Sequence, residues 1–303
     1  GSLLEQVELA GGRRLVVKHV IAGGDWIMRA SHDLGRAAEL WSSGVLARVP
    51  AAIDHTVLGV ERQGAGWVVI MRDVSAALVP DHVRLTRDHS RRVLEAAAAL
   101  HAEFWDDPPL QLCPLVDRYQ FLSPATARRE AGGADVVPGL IEPGWERFRD
   151  LVPADVAEPV LAILERPEPF ARELARFPST LIHGDLKLGN LGFLDDRVVL
   201  LDWGTQTGWA PPAVETAWYL AVNASRIDAT REQVLGDFRA AEGERHDEGA
   251  LRLALLGGLV QLGWDKSLHA SGHPDPAIRE REAADLAWWT ARARDALEHW
   301  SPS

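Results

Sequence analysis

Five polar side chains between residues 181 and 204 have the types and spacing to bind a divalent metal ion and to move a proton. In chain order they are His183, Asp185, Lys187, Asn190 and, after an apolar stretch, Asp202. Two carboxylates and an amide oxygen are hard ligands of the kind that Mg²⁺ takes together with phosphate oxygens. The cluster therefore predicts a magnesium site in which one carboxylate remains free to receive a proton.

The apolar residues around this cluster predict the strands that bring it together. Residues 180–182 predict a short buried strand, and residues 191–194 and 198–201 predict a hairpin. A hairpin of that length returns Asp202 to the side of Asn190. The two ends of the hairpin would then supply an amide and a carboxylate to one metal ion.

The order of these residues resembles the catalytic and metal-binding segments of kinase-like phosphotransferases. Gly184 makes the segment similar to the aminoglycoside phosphotransferase and choline kinase branch, because protein kinases have arginine at this position. The resemblance implies that Asp185 orients and deprotonates the acceptor hydroxyl and that Lys187 contacts the transferring phosphate. It also implies that Asn190 and Asp202 hold Mg²⁺ on the phosphates of ATP or GTP.

A second part of the resemblance concerns the nucleotide. Lys18 lies inside the apolar strand LVVKHV, and the family places there a lysine that pairs with the α- and β-phosphates. Its partner in the family is a glutamate of the next helix, which here is predicted over residues 34–47 with Asp33 as N-cap. Glu39 is the candidate partner, and the alternative is that Glu39 is a surface residue of that helix.

The segment after the last N-terminal strand is interpreted as the linker between two lobes. In the family, the backbone of this linker holds the edge of the adenine ring. The matching groups are the carbonyl of Arg72 and the N–H of Val74. The glycine-rich phosphate loop of the family is expected ahead of Leu3, where two residues stand. Either the natural N-terminus is longer, or the phosphates are covered in another way.

Periodicity places the remaining elements. Strands are predicted at residues 3–9, 14–20, 52–58 and 66–71 of one small sheet. Residues 106–142 are predicted to be irregular apart from a short helix at 126–131. Other helices are predicted at 86–105, 145–152, 155–165, 169–177, 211–224, 230–241, 248–262 and 276–300. His101 is interpreted as a hydrogen-bonded core histidine, and Glu215 stands where the family has an aspartate that braces the catalytic loop.

Composition limits the classes of function. The chain has 303 residues, 47% of them apolar and 25% charged, as in soluble globular proteins. The net charge of −12 argues against nucleic acid as a partner and leaves a cationic substrate open, although solvated surface charge is the more common origin of such an excess. One cysteine, Cys113, agrees with a reducing cytoplasm. The longest apolar run is too short to cross a membrane, so a cytoplasmic location is predicted.

These observations lead to an α+β fold of the two-lobed, protein-kinase-like type. Residues 1–72 are predicted to form a small β-rich nucleotide-binding lobe, and residues 73–303 a larger, mostly helical lobe for catalysis and substrate binding. The predicted reaction moves the γ-phosphate of ATP or GTP to a hydroxyl of a small, antibiotic-like molecule. The alternatives are a metabolic sugar or amino-alcohol kinase and a catalytically weak nucleotide-binding pseudokinase. The oligomeric state stays open.

Overall fold

A computed structural model describes residues 3–108 and 112–300 of the chain. Its strands are β1 (Leu3–Glu8), β2 (Arg14–Ile21), β3 (Ile53–Asp54), β4 (Val57–Gln63), β5 (Gly66–Arg72), β6 (Leu85–Thr86), β7 (Thr180–Ile182), β8 (Leu191–Leu194), β9 (Arg197–Leu200), β10 (Gly208–Ala210) and β11 (Ile227–Asp228). Its helices are α1 (Trp26–Ala30), α2 (Arg36–Ser42), α3 (Val45–Arg48), α4 (Arg87–Glu103), α5 (Leu115–Gln120), α6 (Pro124–Glu130), α7 (Val137–Leu151), α8 (Ala154–Glu165), α9 (Glu168–Leu174), α10 (Pro212–Asn223), α11 (Arg231–Glu242), α12 (Glu248–Gly272) and α13 (Pro276–His299).

The chain divides into two compact units. The first comprises Gly1–Pro114 and Ser179–His246, and the second comprises Leu115–Pro178 and Asp247–Ser303. The lobe boundary predicted at residue 72 lies inside the first unit, at the last residue of β5. The division into residues 1–72 and 73–303 therefore stays a prediction.

A four-stranded antiparallel sheet opens the first unit, in the order β1-β2-β5-β4. Branched apolar residues favour these strands, and Gly11 and Gly12 turn the first hairpin with φ of 93° and 79°. Lys18 lies in β2 opposite Val69 of β5. The predicted hairpin and the position of its lysine are confirmed.

The strand predicted over residues 52–58 is wrong in part. Ile53 and Asp54 form β3, which pairs in parallel with β9 in a different, three-stranded sheet. The four-stranded sheet resumes only at Val57, as β4. Thr56 has a φ of 61°, a left-handed conformation that ends any strand. The apolar run over residues 52–58 therefore contributes one strand to each of two sheets.

The helix predicted over residues 34–47 is two helices. It is interrupted after α2 because Gly44 adopts a φ of 79° and becomes the N-cap of α3. Asp33 makes the hydrogen bonds expected of an N-cap side chain, since its carboxylate accepts the N–H groups of Gly35 and Arg36 at 2.8 and 2.7 Å. The N-cap position itself is Gly35.

The hairpin predicted between Asn190 and Asp202 is present. β8 pairs with β9 from Leu191 opposite Leu200 to Leu194 opposite Arg197. β9 also pairs with β3, and β7 pairs with β10. The helices α4, α10 and α11 complete the first unit, and all three were predicted from their periodicity.

The second unit is helical. The irregular stretch predicted over residues 106–142 is wrong in part, because it contains α5 and the first turns of α7, whereas residues 109–111 lie outside the described residues. Pro143 lies inside α7 and obscured its periodicity. α7 and α12 approach closely at Gly144, where an added Cβ would lie 2.6 Å from the carbonyl oxygen of Trp264. No helix in the described part of the chain is long and apolar enough to span a membrane.

Candidate active site

The carboxylate of Asp185 is held by three hydrogen-bond donors. Lys187 Nζ and Asn190 Nδ2 donate to its Oδ2 at 2.8 and 2.9 Å. The indole N–H of Trp218, on α10, donates to its Oδ1 at 3.1 Å. The residue is only 9% exposed. Because both oxygens carry a donor, the carboxylate has one fixed orientation.

Lys187 remains a cation in this loop. Burial lowers the pKa of its ammonium group, but the carboxylates of Asp185 and Asp202 outweigh that effect and raise the pKa above its ordinary value. A fixed positive charge therefore lies beside Asp185 and within electrostatic reach of Asp202.

Asp202 has a different environment from Asp185. Its side chain is 39% exposed and its backbone is left-handed, with a φ of 64°. Lys18 Nζ lies 2.5 Å from its Oδ1. Desolvation raises the pKa of Asp202, but the charges of Lys18 and Lys187 outweigh this, so the pKa lies below its ordinary value. The carboxylate is ionised at neutral pH.

Asn190 lies at the start of the same hairpin. Its backbone carbonyl accepts the N–H of Leu201 at 2.9 Å. Leu201 directly precedes Asp202, so this bond brings Asp202 close to Asn190. Its side-chain NH₂ supplies both hydrogen bonds to Asp185, through the carboxylate and the backbone carbonyl. Neither bond uses the amide oxygen, the atom that a metal ion would need.

The donor set can be compared with what Mg²⁺ requires. The described residues contain no group of three or more His, Cys, Asp or Glu side chains arranged to hold a metal ion. Mg²⁺ is usually bound by one or two carboxylates together with phosphate oxygens and waters. An ionised Asp202 and the amide oxygen of Asn190 fit this requirement for a metal that arrives with a nucleotide.

Glu215 braces the loop that carries Asp185. Its Oε1 accepts the N–H of Gly184 at 2.6 Å, and its Oε2 lies 2.9 Å from Nε2 of His101. Burial raises the pKa of Glu215, but the hydrogen bond and the charge of His101 outweigh it and lower the pKa. The bracing that was inferred from the position of Glu215 has a direct structural basis.

His101 joins two buried carboxylates. Its Nδ1 lies 2.6 Å from Glu242 on α11, and its other nitrogen meets Glu215. Burial alone would lower the pKa of His101, but the charge of Glu242 and the hydrogen bonds to both glutamates raise it to about 9. The interpretation as a hydrogen-bonded core histidine is confirmed, and the histidine is an imidazolium at neutral pH.

Sequence reasoning missed three residues that hold this loop: Trp218, Asn223 and Glu242. The side chain of Asn223 accepts the N–H of Leu188 at 3.0 Å and donates to the carbonyl of Leu186 at 2.7 Å. A signal for Trp218 existed, because it follows Glu215 by three residues and so lies on the same face of α10. Asn223 is the last residue of that helix, and its spacing gave no such signal. Glu242 gives no such signal, since it comes from a different helix.

The structure brings together five predicted site residues: Lys18, Asp185, Lys187, Asn190 and Asp202. Glu39, Arg72 and Val74 take part in none of the contacts described above. Glu39 is half-buried on α2, and its pairing with Lys18 stays a prediction. The two linker residues line a cleft of about 570 Å³ whose lining does not include Lys18.

The side chain of Arg72 is engaged away from the linker backbone. Its guanidinium forms an ion pair with the buried Asp54, which Arg197 also approaches at 3.2 Å. The three charges tie the end of β5 to β3 and β9. The linker predicted to hold adenine therefore begins at Arg72, a residue whose side chain is held by an ion pair.

Comparison with known proteins gives a consistent result. A family model described as a phosphotransferase enzyme family matches residues 6–254. An aminoglycoside phosphotransferase from Streptomyces rimosus, solved with ADP and streptomycin, is 19% identical with a TM-score of 0.53, over 85% of this chain and 92% of that one. An aminoglycoside phosphotransferase from Alicyclobacillus acidocaldarius is 17% identical with a TM-score of 0.51, over 98% and 91%.

A choline/ethanolamine kinase family protein from Mesorhizobium loti is 13% identical with a TM-score of 0.51, over 98% of this chain and 93% of that one. Among curated proteins, none matches the sequence. At these identities the solved structures establish the fold, and they confirm the predicted protein-kinase-like class. Since the family model spans most of the chain, the protein belongs to the phosphotransferase enzyme family and is an enzyme that phosphorylates a hydroxyl of a small molecule.

Proposed function

We propose that this enzyme transfers the γ-phosphate of ATP or GTP, with Mg²⁺, to a hydroxyl of an antibiotic-like small molecule such as an aminoglycoside. The observation that carries the proposal is that two carboxylates, each held by its own lysine, lie in the same compact unit. Asp185 is held by Lys187 and Trp218, and Asp202 is paired with Lys18. Phosphoryl transfer needs such positioning and charge compensation more than covalent chemistry.

Asp185 is proposed as the group that orients and deprotonates the acceptor hydroxyl. A general base must lie in one position relative to the proton that it takes. The donors from Lys187, Asn190 and Trp218 supply that constraint before any substrate binds. Glu215 adds to it by holding the N–H of Gly184.

The phosphate groups are proposed to bind between Lys187, Lys18 and Asp202. The two ammonium groups would neutralise phosphoryl oxygens. Asp202 and Asn190 would hold the metal ion, which supplies Lewis-acid stabilisation of charge on those oxygens. Lys18 Nζ lies 2.5 Å from Asp202, so strand β2 brings its cation next to a proposed metal ligand, which supports this arrangement.

The nucleotide half of the proposal extends to three further residues. Glu39 is proposed to pair with Lys18, and the carbonyl of Arg72 and the N–H of Val74 are proposed to hold the adenine edge. A nucleotide-binding lobe of residues 1–72 and a catalytic lobe of residues 73–303 belong to the same proposal. The similar enzyme from Streptomyces rimosus was solved with ADP, which supports nucleotide use.

The choice of acceptor rests on charge and likeness. The net charge of −12 is compatible with a cationic acceptor. Streptomycin is bound in the similar structure from Streptomyces rimosus. The likeness to a choline/ethanolamine kinase family protein supports a second candidate, a cationic amino alcohol.

The proposal is tested by magnesium-dependent transfer from labelled ATP and GTP to a panel of hydroxyl compounds. The panel contains aminoglycosides, other antibiotics, sugars and amino alcohols. We expect transfer to a cationic member that disappears with Asp185→Asn. Transfer to metabolites alone would replace the antibiotic assignment. Nucleotide binding without transfer to any compound would favour the pseudokinase alternative.

A further inference from the structure

A buried arginine joins helix α2 to the segment that follows Asp202. Arg36, the first residue of α2, is only 5% exposed. Its Nη1 donates to the carbonyls of Thr205 at 2.7 Å and Gly204 at 3.3 Å. Its Nη2 donates to the carbonyl of Ser31 at 3.2 Å. Arginine is rarely buried without such partners, so this side chain is committed to joining these two segments.

A second contact at the same place is independent of the guanidinium. Gly204 has a φ of 136°, and an added Cβ would lie 2.9 Å from the backbone nitrogen of Ala37. The backbone of Gly204 therefore lies directly against the first turn of α2. Both contacts fix the chain two and three residues after Asp202.

The backbone conformation of Asp202 depends on the contacts that Arg36 and Ala37 make with the residues after it. Its φ of 64° is uncommon for a residue with a side chain, and such a conformation persists only where the surroundings impose it. On one side, Lys18 of β2 holds its carboxylate. On the other side, Arg36 holds the backbone that leaves it. The direction of the carboxylate is therefore set from two different elements.

We infer that Arg36 is a positioning residue that transmits the placement of α2 to Asp202 and so to the metal–nucleotide site. The inference rests on the proposed role of Asp202 and adds a residue to it. Without Arg36, the carbonyl of Thr205 loses this donor and the carbonyl of Gly204 keeps only the N–H of Thr207, at 3.0 Å. Asp202 can then leave the left-handed conformation. Asp33 loses a buried ion-pair partner at 3.9 Å, but its carboxylate keeps the N–H groups of residues 35 and 36.

Lysine cannot replace this arginine fully. A guanidinium presents several N–H groups in a planar fork, and here it reaches acceptors on both segments at once. An ammonium group keeps the charge and can satisfy only part of that set. Arg36→Lys should therefore recover part of what Arg36→Met loses, which a simple packing role would not predict.

The test measures ADP affinity by calorimetry, with Mg²⁺ and without it. The ratio of the two affinities is the gain that the metal supplies. We expect Arg36→Met to reduce this gain by about tenfold and to change metal-free ADP affinity by less than about twofold. Arg36→Lys should give an intermediate gain.

Arg48→Met is the matched control. Arg48 lies on the neighbouring helix α3 and pairs with Glu103 and Asp107 at 3.1 and 2.9 Å, without contact to the segment after Asp202. Its metal gain should equal that of the wild type. If Arg36→Met fails to fold, Gly204→Ala disturbs the same contact from the other side and should lower the gain in the same way.

The outcomes separate the inference from the proposed function. A normal metal gain in Arg36→Met or Gly204→Ala would overturn the role of Arg36. Equal losses of metal-free and metal-dependent affinity would also overturn it, since they indicate general destabilisation. A wild-type enzyme whose ADP affinity does not depend on Mg²⁺ would instead contradict the proposed roles of Asp202 and Asn190.

Discussion

Asp185 and Asp202 lie in the same unit, but they are held in opposite ways. The side chain of Asp185 is 13% exposed, and its donors come from its own loop and from α10. Asp202 has a side chain that is 39% exposed, and its cation comes from β2, 184 residues earlier in the chain. Asp185 thus belongs to a local network in which both of its oxygens are hydrogen-bonded, whereas Asp202 is paired with a lysine on a strand far away in the sequence.

The contrast indicates two different sources of order. The network at Asp185 continues inward through Gly184, Glu215 and His101 to Glu242, which also pairs with Arg245 at 3.4 Å. Buried polar networks of this kind are rigid when all members are bonded. Asp202 depends instead on where β2 and α2 lie. The acceptor side of the reaction should therefore be preorganised, and the metal–nucleotide side should respond to the N-terminal elements.

The largest effect is expected at Asp185. Asp185→Asn keeps the shape of the side chain but removes the base, so kcat should fall by about 10²-fold or more. ADP affinity in the presence of Mg²⁺ should change far less than kcat, because the pair of Asp202 with Lys18 is left in place. Steady-state kinetics and calorimetry measure the two quantities. Full activity in the variant would mean that another group takes the proton.

A smaller effect, on the other side of the comparison, is expected for Lys18→Ala. Loss of a charged hydrogen bond to a phosphate costs about 2 kcal/mol, equivalent to roughly thirtyfold in affinity. We expect this increase in the Kd for ADP, with little change in acceptor KM. Calorimetry and kinetics at saturating nucleotide check it. Unchanged nucleotide affinity would remove Lys18 from the site.

Trp218→Phe tests how much the indole hydrogen bond to Asp185 contributes to catalysis. The change removes one donor to Asp185 and keeps most of the aromatic packing. We expect kcat to fall about tenfold, as for the loss of one hydrogen bond to a charged group, with unchanged ADP affinity. Trp145→Phe, which loses a buried N–H bond of 2.8 Å to Leu122, is the control for stability. A drop in both variants alike would indicate lost stability rather than lost positioning.

The buried network also predicts a dependence of stability on pH. The pKa of His101 is raised from 6.5 to about 9. Its contribution to stability is therefore complete below pH 6.5 and is lost as the pH rises to about 9. A shift of this size corresponds to an order of 3 kcal/mol.

Denaturant titrations at several pH values measure the free energy of unfolding over this range. The expected fall should be much smaller in His101→Gln, which cannot carry the proton, and the remainder should come from His269, whose pKa is raised to about 9 by its hydrogen bond to Asp265. An equal fall in the variant would assign the pH dependence to other groups.

The same contrast explains what the sequence could reveal. The order of Asp185, Asn190 and Asp202 carries local information, and the hairpin between them follows from apolar periodicity. Those predictions agree with the observed strands. The breaks at Thr56 and Gly44 were missed because a single left-handed residue interrupts a pattern that is otherwise continuous.

Contacts between distant segments were beyond the reach of pattern reasoning. Arg36 looked like an ordinary polar residue of a helix, and its buried bonds to Gly204 and Thr205 span 168 and 169 residues. Glu242 looked like one acid among many. Lys18 was found only because its strand resembles that of a known family. Sequence pattern gives the local part of the site, and tertiary packing decides which long-range partners complete it.

The most direct test of the account compares the effect of Mg²⁺ on ADP affinity in Asp202→Asn and in Asp185→Asn. The account assigns the metal to Asp202 and the acceptor proton to Asp185. It predicts that Asp202→Asn loses the gain in affinity that Mg²⁺ supplies and that Asp185→Asn retains it. A retained gain in Asp202→Asn, or an equal loss in both variants, would contradict the division of roles between the two acids.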